Sequence, residues 1–460
     1  MMMSDSPLSA TPRRLASLDA YRGLIMLLMA SGGFALARTL DRHPEIVTQY
    51  EGQSFDLLWQ TLWDRLSYEF SHVEWTGCSL WDLIQPSFIF MVGVAMPFSY
   101  AKREFAGHSG LRMFAHAIVR SLVLILLAVF LSSNGSRQTN YIFTNVLAQI
   151  GLAYPFVYLL HRRNFVIQLL ALAGILGGYW HYFYNYTIPQ AEQDQVRTYL
   201  VEELELELNK QQELDQFSGL SAHWNKHTNA AAAFDRRFLS RYPREEEPWY
   251  GRTYWINRGG YQTLNFVPSI ATMLLGVMAG ILLRSGRSDD KKLLWLLIAG
   301  GLCFVTSMSI DTNIWPVKIS GCDWSLCPIV KRIWTPSWAV FSAGWTFWML
   351  AVLYWIIDKR GYKRWAFPLV VVGMNSIVMY CMSQLIKPWV GKSLKIHLTS
   401  LDMVLGWGDG GAHHWWENGI SFYLFDDSYA YADIWQNTAR VFVLWLICLW
   451  LYRRKIFVRI

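Results

Sequence analysis

Residues 72–96 read HVEWTGCSLWDLIQPSFIFMVGVAM, and the second half of this stretch decides the fold. From Leu83 onward it carries no charge, and the apolar run continues to about Ala101. Roughly 20 apolar residues in a helix cross a hydrocarbon core about 30 Å thick. The stretch therefore reads as a membrane-spanning helix. Asp82 lies about one turn inside it and His72 just ahead of it. An ionised carboxylate at that depth costs a few kcal/mol unless it is paired or solvated, so its presence needs an account.

The whole chain fits that reading. Of 460 residues, 53% are hydrophobic and only 16% charged, against about 25% charged in an ordinary soluble domain. Twenty-four Trp suit a chain with many segments at bilayer interfaces. Ten segments are apolar enough to predict spans, at about 19–38, 80–101, 113–133, 141–161, 164–184, 263–284, 292–311, 337–357, 365–388 and 435–452. The expected fold class is all-α, a polytopic membrane helix bundle of ten transmembrane helices with large outer, periplasmic loops. The expected division is an N-terminal membrane half (1–184, with the His-bearing loop 39–79), a helical insert (185–262) and a C-terminal membrane half (263–460).

Charge gives the orientation. AKREFAGHSGLR (101–112), HRR (161–163), LRSGRSDDKK (283–292), DKRGYKR (358–364) and the tail YRRKIFVRI are short, basic and fall at every second connection, in phase with Arg13 and Arg14. The positive-inside rule puts this set, and both termini, in the cytoplasm. The N-terminal apolar run reads as a retained anchor, since no small-x-small cleavage site follows it. The long segments 39–79, 185–262, 312–335 and 391–434 then lie outside. Net charge is +7, but no basic stripe interleaved with aromatics points to nucleic acid.

Several polar residues stand out in this apolar background. An imidazole such as His72 accepts a proton near neutral pH. A carboxylate brought against it fixes its tautomer. The plain alternatives are an interfacial His and a helix-start Asp favoured by the helix dipole. Asp19 and Arg22, spaced i,i+3, form an ion pair or a polar lining. Arg120, Lys387 and Arg440 are explained by snorkelling, and Asp19, Arg22 and Arg120 are also candidates for substrate or CoA binding. Asn145, Gln149, Asn265 and Asn375 suit inter-helix hydrogen bonds or the lining of a substrate channel, and Trp75 joins them as a binding candidate. Cys322 and Cys327 in GCDWSLC form a disulfide if that loop faces an oxidising compartment. His413 and His414 are adjacent and lack a spaced third ligand, so they make a poor zinc site, and no metal is expected.

RLASLDAYRGL (14–24) resembles the opening motif of the heparan-α-glucosaminide N-acetyltransferase family and its bacterial relatives. HVEWTGCSLWDLIQPSFIFMVG resembles that family's segment His-x-x-Trp-Asn-Gly-x-x-x-x-Asp-Leu-x-x-Pro-x-Phe-x-Phe-x-x-Gly. GYQTLNFVPSIATMLLGVMAG, KRIWTPSWAVFSAGW and GMNSIVMYCMSQL look similar to family segments in the same order. The resemblance spans about residues 15–455, and the insert looks like the bacterial branch. It implies a membrane acyltransferase in which cytoplasmic acetyl-CoA donates an acetyl group to an amino sugar or glycan on the far side. By motif position His72 is then the key catalytic residue, with Asp82 as the motif Asp. Thr76 departs from the pattern, standing where the family has Asn, which leaves the acceptor open. The partners implied are a small-molecule or glycan acceptor, membrane lipid and a second copy of the chain. The competing expectation is a non-enzymatic exporter of a glycan or lipid-linked intermediate. Bacterial transporters are commonly built from two similar halves, and no internal repeat is visible here.

Overall fold

The computed structural model describes residues 14–48, 56–198, 217, 219–242, 256–257, 259–312, 325–405, 416 and 431–458. Among these the chain is helical, and extended pairing is confined to the isolated bridges Thr76–Val330 and Asp311–Ser325. Seven helices are long and apolar enough to cross a membrane: Trp81–Phe105, Gly110–Ser132, Phe165–Tyr184, Thr263–Arg284, Asp289–Ile310, Pro336–Lys359 and Ala432–Arg453. Counting each of two bent pairs as one span brings the number to nine. Among the described residues, seven to nine of the ten expected spans thus meet that criterion. The expected span at 141–161 is the helix Val146–Leu160, and its 15 residues cover about 22 Å at 1.5 Å per residue. Helices such as Phe165–Tyr184, only 11% buried in its apolar window, expose hydrophobic side chains in the way a lipid-facing helix does.

The bends have local causes. Ala16–Ser31 ends at Gly32, and Gly32 to Ala35 all have positive φ, which turns the following helix by 46°. Phe367–Met374 and Ser376–Leu385 meet at 80° around Asn375.

The chain clusters into two compact units that do not follow chain order. One comprises Met1–Arg14, Glu74–Cys78 and Gln85–Trp355; the other comprises Leu15–Val73, Ser79–Ile84 and Ile356–Ile460.

In the first unit, the helix Ile84–Phe105 lies against Phe266–Arg284 at backbone contact. A Cβ on Gly93 would strike the Met273 carbonyl, and one on Gly276 the Phe90 carbonyl. Gly276 and Gly280 are four apart, the small-residue spacing that lets membrane helices approach closely. The described part of the insert is packed into this unit. Asn229 caps Ala230–Leu239 by accepting from Ala232 N at 2.9 Å, and Asp235 Oδ2 accepts from Thr263 N at 2.8 Å. Trp75 is buried among Trp224, Phe183 and Tyr179 and donates to the Trp224 carbonyl at 3.0 Å.

In the second unit, Ala16–Ser31 packs on Phe367–Met374 through a similar glycine pair. A Cβ on Gly23 would meet the Leu369 carbonyl, and one on Gly373 the Asp19 carbonyl. The start of Ala16–Ser31 is closed by Asp358, whose carboxylate accepts from Ala16 N and Ser17 N at 3.1 and 3.0 Å. The two bonds satisfy orphan donors at the positive end of the helix.

Candidate active site

The second unit brings His72 and Asp82 together. The helix Asp56–Glu69 ends just before His72, and Glu69 accepts from Leu80 N at 2.7 Å, which folds the intervening chain back on itself. Ser79 and Asp82 then start the next helix as a reciprocal pair. Ser79 N donates to Asp82 Oδ2 at 3.3 Å, and Asp82 N donates to Ser79 Oγ at 3.3 Å. This is a capping box with Asp in place of the usual Glu. It fixes the carboxylate at the helix start.

The box occupies only one side of the carboxylate. Val73 N also donates to Oδ2, at 3.2 Å, and the Ser79 hydroxyl lies 3.0 Å away, its one proton shared with the Ser71 carbonyl at 2.6 Å. Oδ1 is left facing His72 Nδ1 at 2.7 Å. Asp82 is 1% exposed, while the His72 side chain keeps 42%. With backbone donors fixed on Oδ2, the carboxylate presents an acceptor to Nδ1. It therefore selects the Nδ1–H tautomer and places the basic lone pair on Nε2. Trp81 lies with its ring centroid 6.3 Å from that of His72. A half-exposed imidazole with a buried carboxylate behind it can act as a general base or as a nucleophile.

The other candidates are placed as follows. Asp19 and Arg22 pair at 3.6 Å in the second unit. In the same unit Asn375 binds the chain's own tail: Nδ2 donates to the Ile456 carbonyl at 3.1 Å and Oδ1 accepts from Val458 N at 3.0 Å. Asn145 caps Val146–Leu160 and donates to the Ala128 carbonyl and Ser132 Oγ. Arg120 donates to the Tyr154 hydroxyl at 3.2 Å and lies 4.7 Å from that ring. Gln149 donates to the Phe143 and Thr263 carbonyls, and Asn265 to the Arg332 carbonyl. Trp75 belongs to the buried cluster of the first unit. The structure thus unites His72 with Asp82 and gives most of the rest caps and tethers.

Cys327 is a free, buried thiol that accepts from the Ser337 hydroxyl at 3.6 Å, and burial pushes it up to about 12. Cys322, its expected disulfide partner, lies outside the described residues, as do His413 and His414. Among the described residues no three His, Cys, Asp or Glu side chains are grouped to hold a metal ion. Sequence reasoning missed Ser79 and Glu69. The Ser-x-x-Asp spacing at 79–82 was the signal available for the first.

No family profile matches the chain. It is similar to heparan-alpha-glucosaminide N-acetyltransferase of Homo sapiens, 23% identical over 399 residues, covering 81% of this chain and 53% of that protein. The protein of the same name in Mus musculus is 22% identical over 392 residues with the same coverage. The chain spans about half the length of the curated relatives it matches.

Proposed function

We propose that the chain is an integral membrane acyltransferase that moves an acetyl group from acetyl-CoA to an amino sugar or glycan. The observation that carries this reading is the His72–Asp82 pair, built on the motif by which the sequence resembles acetyltransferases. The distant likeness to two N-acetyltransferases supports the same reaction class.

Bound acetyl-CoA would supply an activated thioester. Asp82 holds the ring and stabilises the imidazolium. Nε2 takes the proton from the attacking amine or hydroxyl and returns it to the leaving sulfur.

In this reading the donor binds from the cytoplasm, His72 faces the outer compartment, and both termini are cytoplasmic. Alternating basic connections support that orientation, and the bacterial-type insert supports a bacterial inner membrane. An exporter of a glycan or lipid-linked intermediate is the second reading, favoured by the helix broken through 80° at Asn375.

Turnover separates the two. Purified protein in detergent is given acetyl-CoA and a panel of amino sugars, with CoA-SH followed by a thiol reagent and product by mass spectrometry. Acceptor-dependent release that falls about 10²–10⁴-fold in His72→Ala is expected. Equal release by that variant refutes the site. Movement of a labelled glycan across vesicles without thioester loss establishes the exporter.

A further inference from the structure

Trp81 has no role in the chemistry above, yet it lies beside both His72 and Phe70. The Trp81–Leu83 turn that carries Asp82 also fixes the Trp81 backbone, and Leu80 N just before it is held by Glu69 at 2.7 Å. The indole centroid lies 6.3 Å from that of His72, with the planes inclined at 53°. Phe70 lies 6.4 Å from the same indole, inclined at 43°. Phe70 is itself seated against Gly33, where a Cβ would come within 3.2 Å of its ring. These three rings and their supports all belong to the second unit.

Neither neighbour lies flat on Trp81. Phe183 covers Trp224 at 4.7 Å with the planes only 13° apart, whereas both rings beside Trp81 are tilted and sit near the far end of the range for aromatic pairs, about 4.5–7 Å. The N–H of Trp81 is also unspent. Trp59 donates to the Ile46 carbonyl at 2.7 Å and Trp75 to the Trp224 carbonyl at 3.0 Å, while the half-buried Trp81 makes no hydrogen bond among the described residues. An interfacial anchor at the start of the helix Trp81–Phe105 would account for a half-exposed indole. It would not account for an indole set against the one open side of the imidazole, in a turn tied to the same cap that orients Asp82.

We propose that Trp81, backed by Phe70, is the platform on which the ring of the acceptor stacks, and that it makes the site prefer a cyclic sugar over an open-chain amine. The word acceptor rests on the acyl-transfer reading; the sugar platform itself does not. A pyranose presents axial C–H groups on its face, which suit an indole, and oxygens at its rim, which suit the free N–H. A ring seated on Trp81 carries its substituents toward the half-exposed imidazole. Trp81 is thus a specificity-determining residue that binds the ring, while His72 handles the proton.

The test is binding to the full chain in nanodiscs of neutral lipid, followed by ligand-observed NMR. The probes are glucosamine and glucosaminitol, its open-chain alcohol with the same amine. The wild type is expected to bind glucosamine about three- to tenfold more tightly. Trp81→Ala should bring the ratio close to one, and Trp81→Phe, which keeps a ring face and loses the N–H, should fall between. The wild type alone keeps the test valid if the variants fail to fold: irradiating aromatic protons should saturate one face of the sugar, H3 and H5 or else H2 and H4, more than the other. A wild-type ratio of one, a ratio unmoved in Trp81→Ala, or even saturation of both faces overturns the proposal. In turnover, the Trp81→Ala loss should fall in KM for glucosamine; a loss confined to kcat would make Trp81 a support for the imidazole and overturn the platform. A ring preference that Trp81→Ala removes, without CoA-SH release from any acceptor, sinks acyl transfer and leaves the platform. Release with a ratio unmoved in Trp81→Ala sinks the platform alone.

Discussion

Replacing Asp82 by Asn changes one atom and should invert the chemistry of His72. In the native site Oδ2 accepts from Val73 N and Ser79 N at 3.2 and 3.3 Å, and Oδ1 faces Nδ1 at 2.7 Å. An amide has one oxygen. The two backbone donors hold it at the Oδ2 position, because the other orientation would set an NH2 against two N–H groups. Nδ2 must then point at His72, and a ring nitrogen facing a donor has to be an acceptor. The imidazole moves its proton to Nε2, and the lone pair needed for proton abstraction is gone. The expected loss is about 10²–10⁴-fold in the rate of CoA-SH release at saturating acceptor. The same substitution keeps the hydrogen bonds of the helix start, so it should cost only about 1–2 kcal/mol of stability. Asp82→Ala makes the contrast. It removes the acceptor of both backbone donors in a place 1% exposed, at about 1–3 kcal/mol each, and should lower the melting temperature as well as the rate. Turnover by Asp82→Asn within threefold of wild type, with unchanged melting, would refute the tautomer argument.

Other outcomes follow from the same structure. His227 is buried, and burial, then Lys226, Arg236 and Arg332, lower it to about 3 against an ordinary 6.5. Below pH 6.5 the unfolded chain takes up a proton that the folded chain refuses, so stability is lost as pH falls toward 3. Roughly 3 kcal/mol should be gone at pH 4.5, and His227→Gln should flatten the dependence of melting temperature on pH. Gly373→Ala should destabilise by about 1–3 kcal/mol, since its methyl would meet the Asp19 carbonyl; Gly177→Ala, whose methyl would meet nothing within 4 Å, should leave thermal melting in detergent unchanged or slightly raised. Asn375→Ala should release the tail at Ile456 and Val458, seen as faster amide exchange there without loss of the helices.

The apolar runs were legible because period and length suffice for a membrane helix, and each expected span corresponds to a helix or a bent pair. Breaks were less legible. Nothing in GFALAR (33–38) announces the left-handed backbone at Phe34 and Ala35, and Asn375 interrupts a run that hydropathy alone would continue. The short helix Val146–Leu160 was over-extended for another reason. Asn145, read as an inter-helix hydrogen-bonding or lining residue, is also the cap that starts it, so the apolar residues ahead of Asn145 lie outside the helix. Polar residues in apolar helices were hardest to read. Asn145, Gln149 and Asn375 satisfy backbone groups at helix ends and breaks, and one sequence without its contacts does not separate that use from substrate binding.

Asp82 was the residue for which two readings competed, a helix-start carboxylate and a partner for His72. The structure makes them compatible, because a carboxylate has two oxygens. The capping box uses Oδ2, and in doing so it immobilises the group through backbone bonds that rotamer changes elsewhere do not disturb. Oδ1 is thereby aimed along a fixed direction, and the turn held by Glu69 delivers His72 to it. The cap therefore supplies the rigidity that a tautomer-selecting carboxylate needs. It follows that Ser79 is a positioning residue. Ser79→Ala removes the acceptor for Asp82 N and one of the neighbours of Oδ2 while leaving the backbone donors in place. It should lower turnover less than Asp82→Asn does, with its loss in kcat rather than KM. A Ser79→Ala loss confined to KM would mean that the cap and the base are mechanically separate.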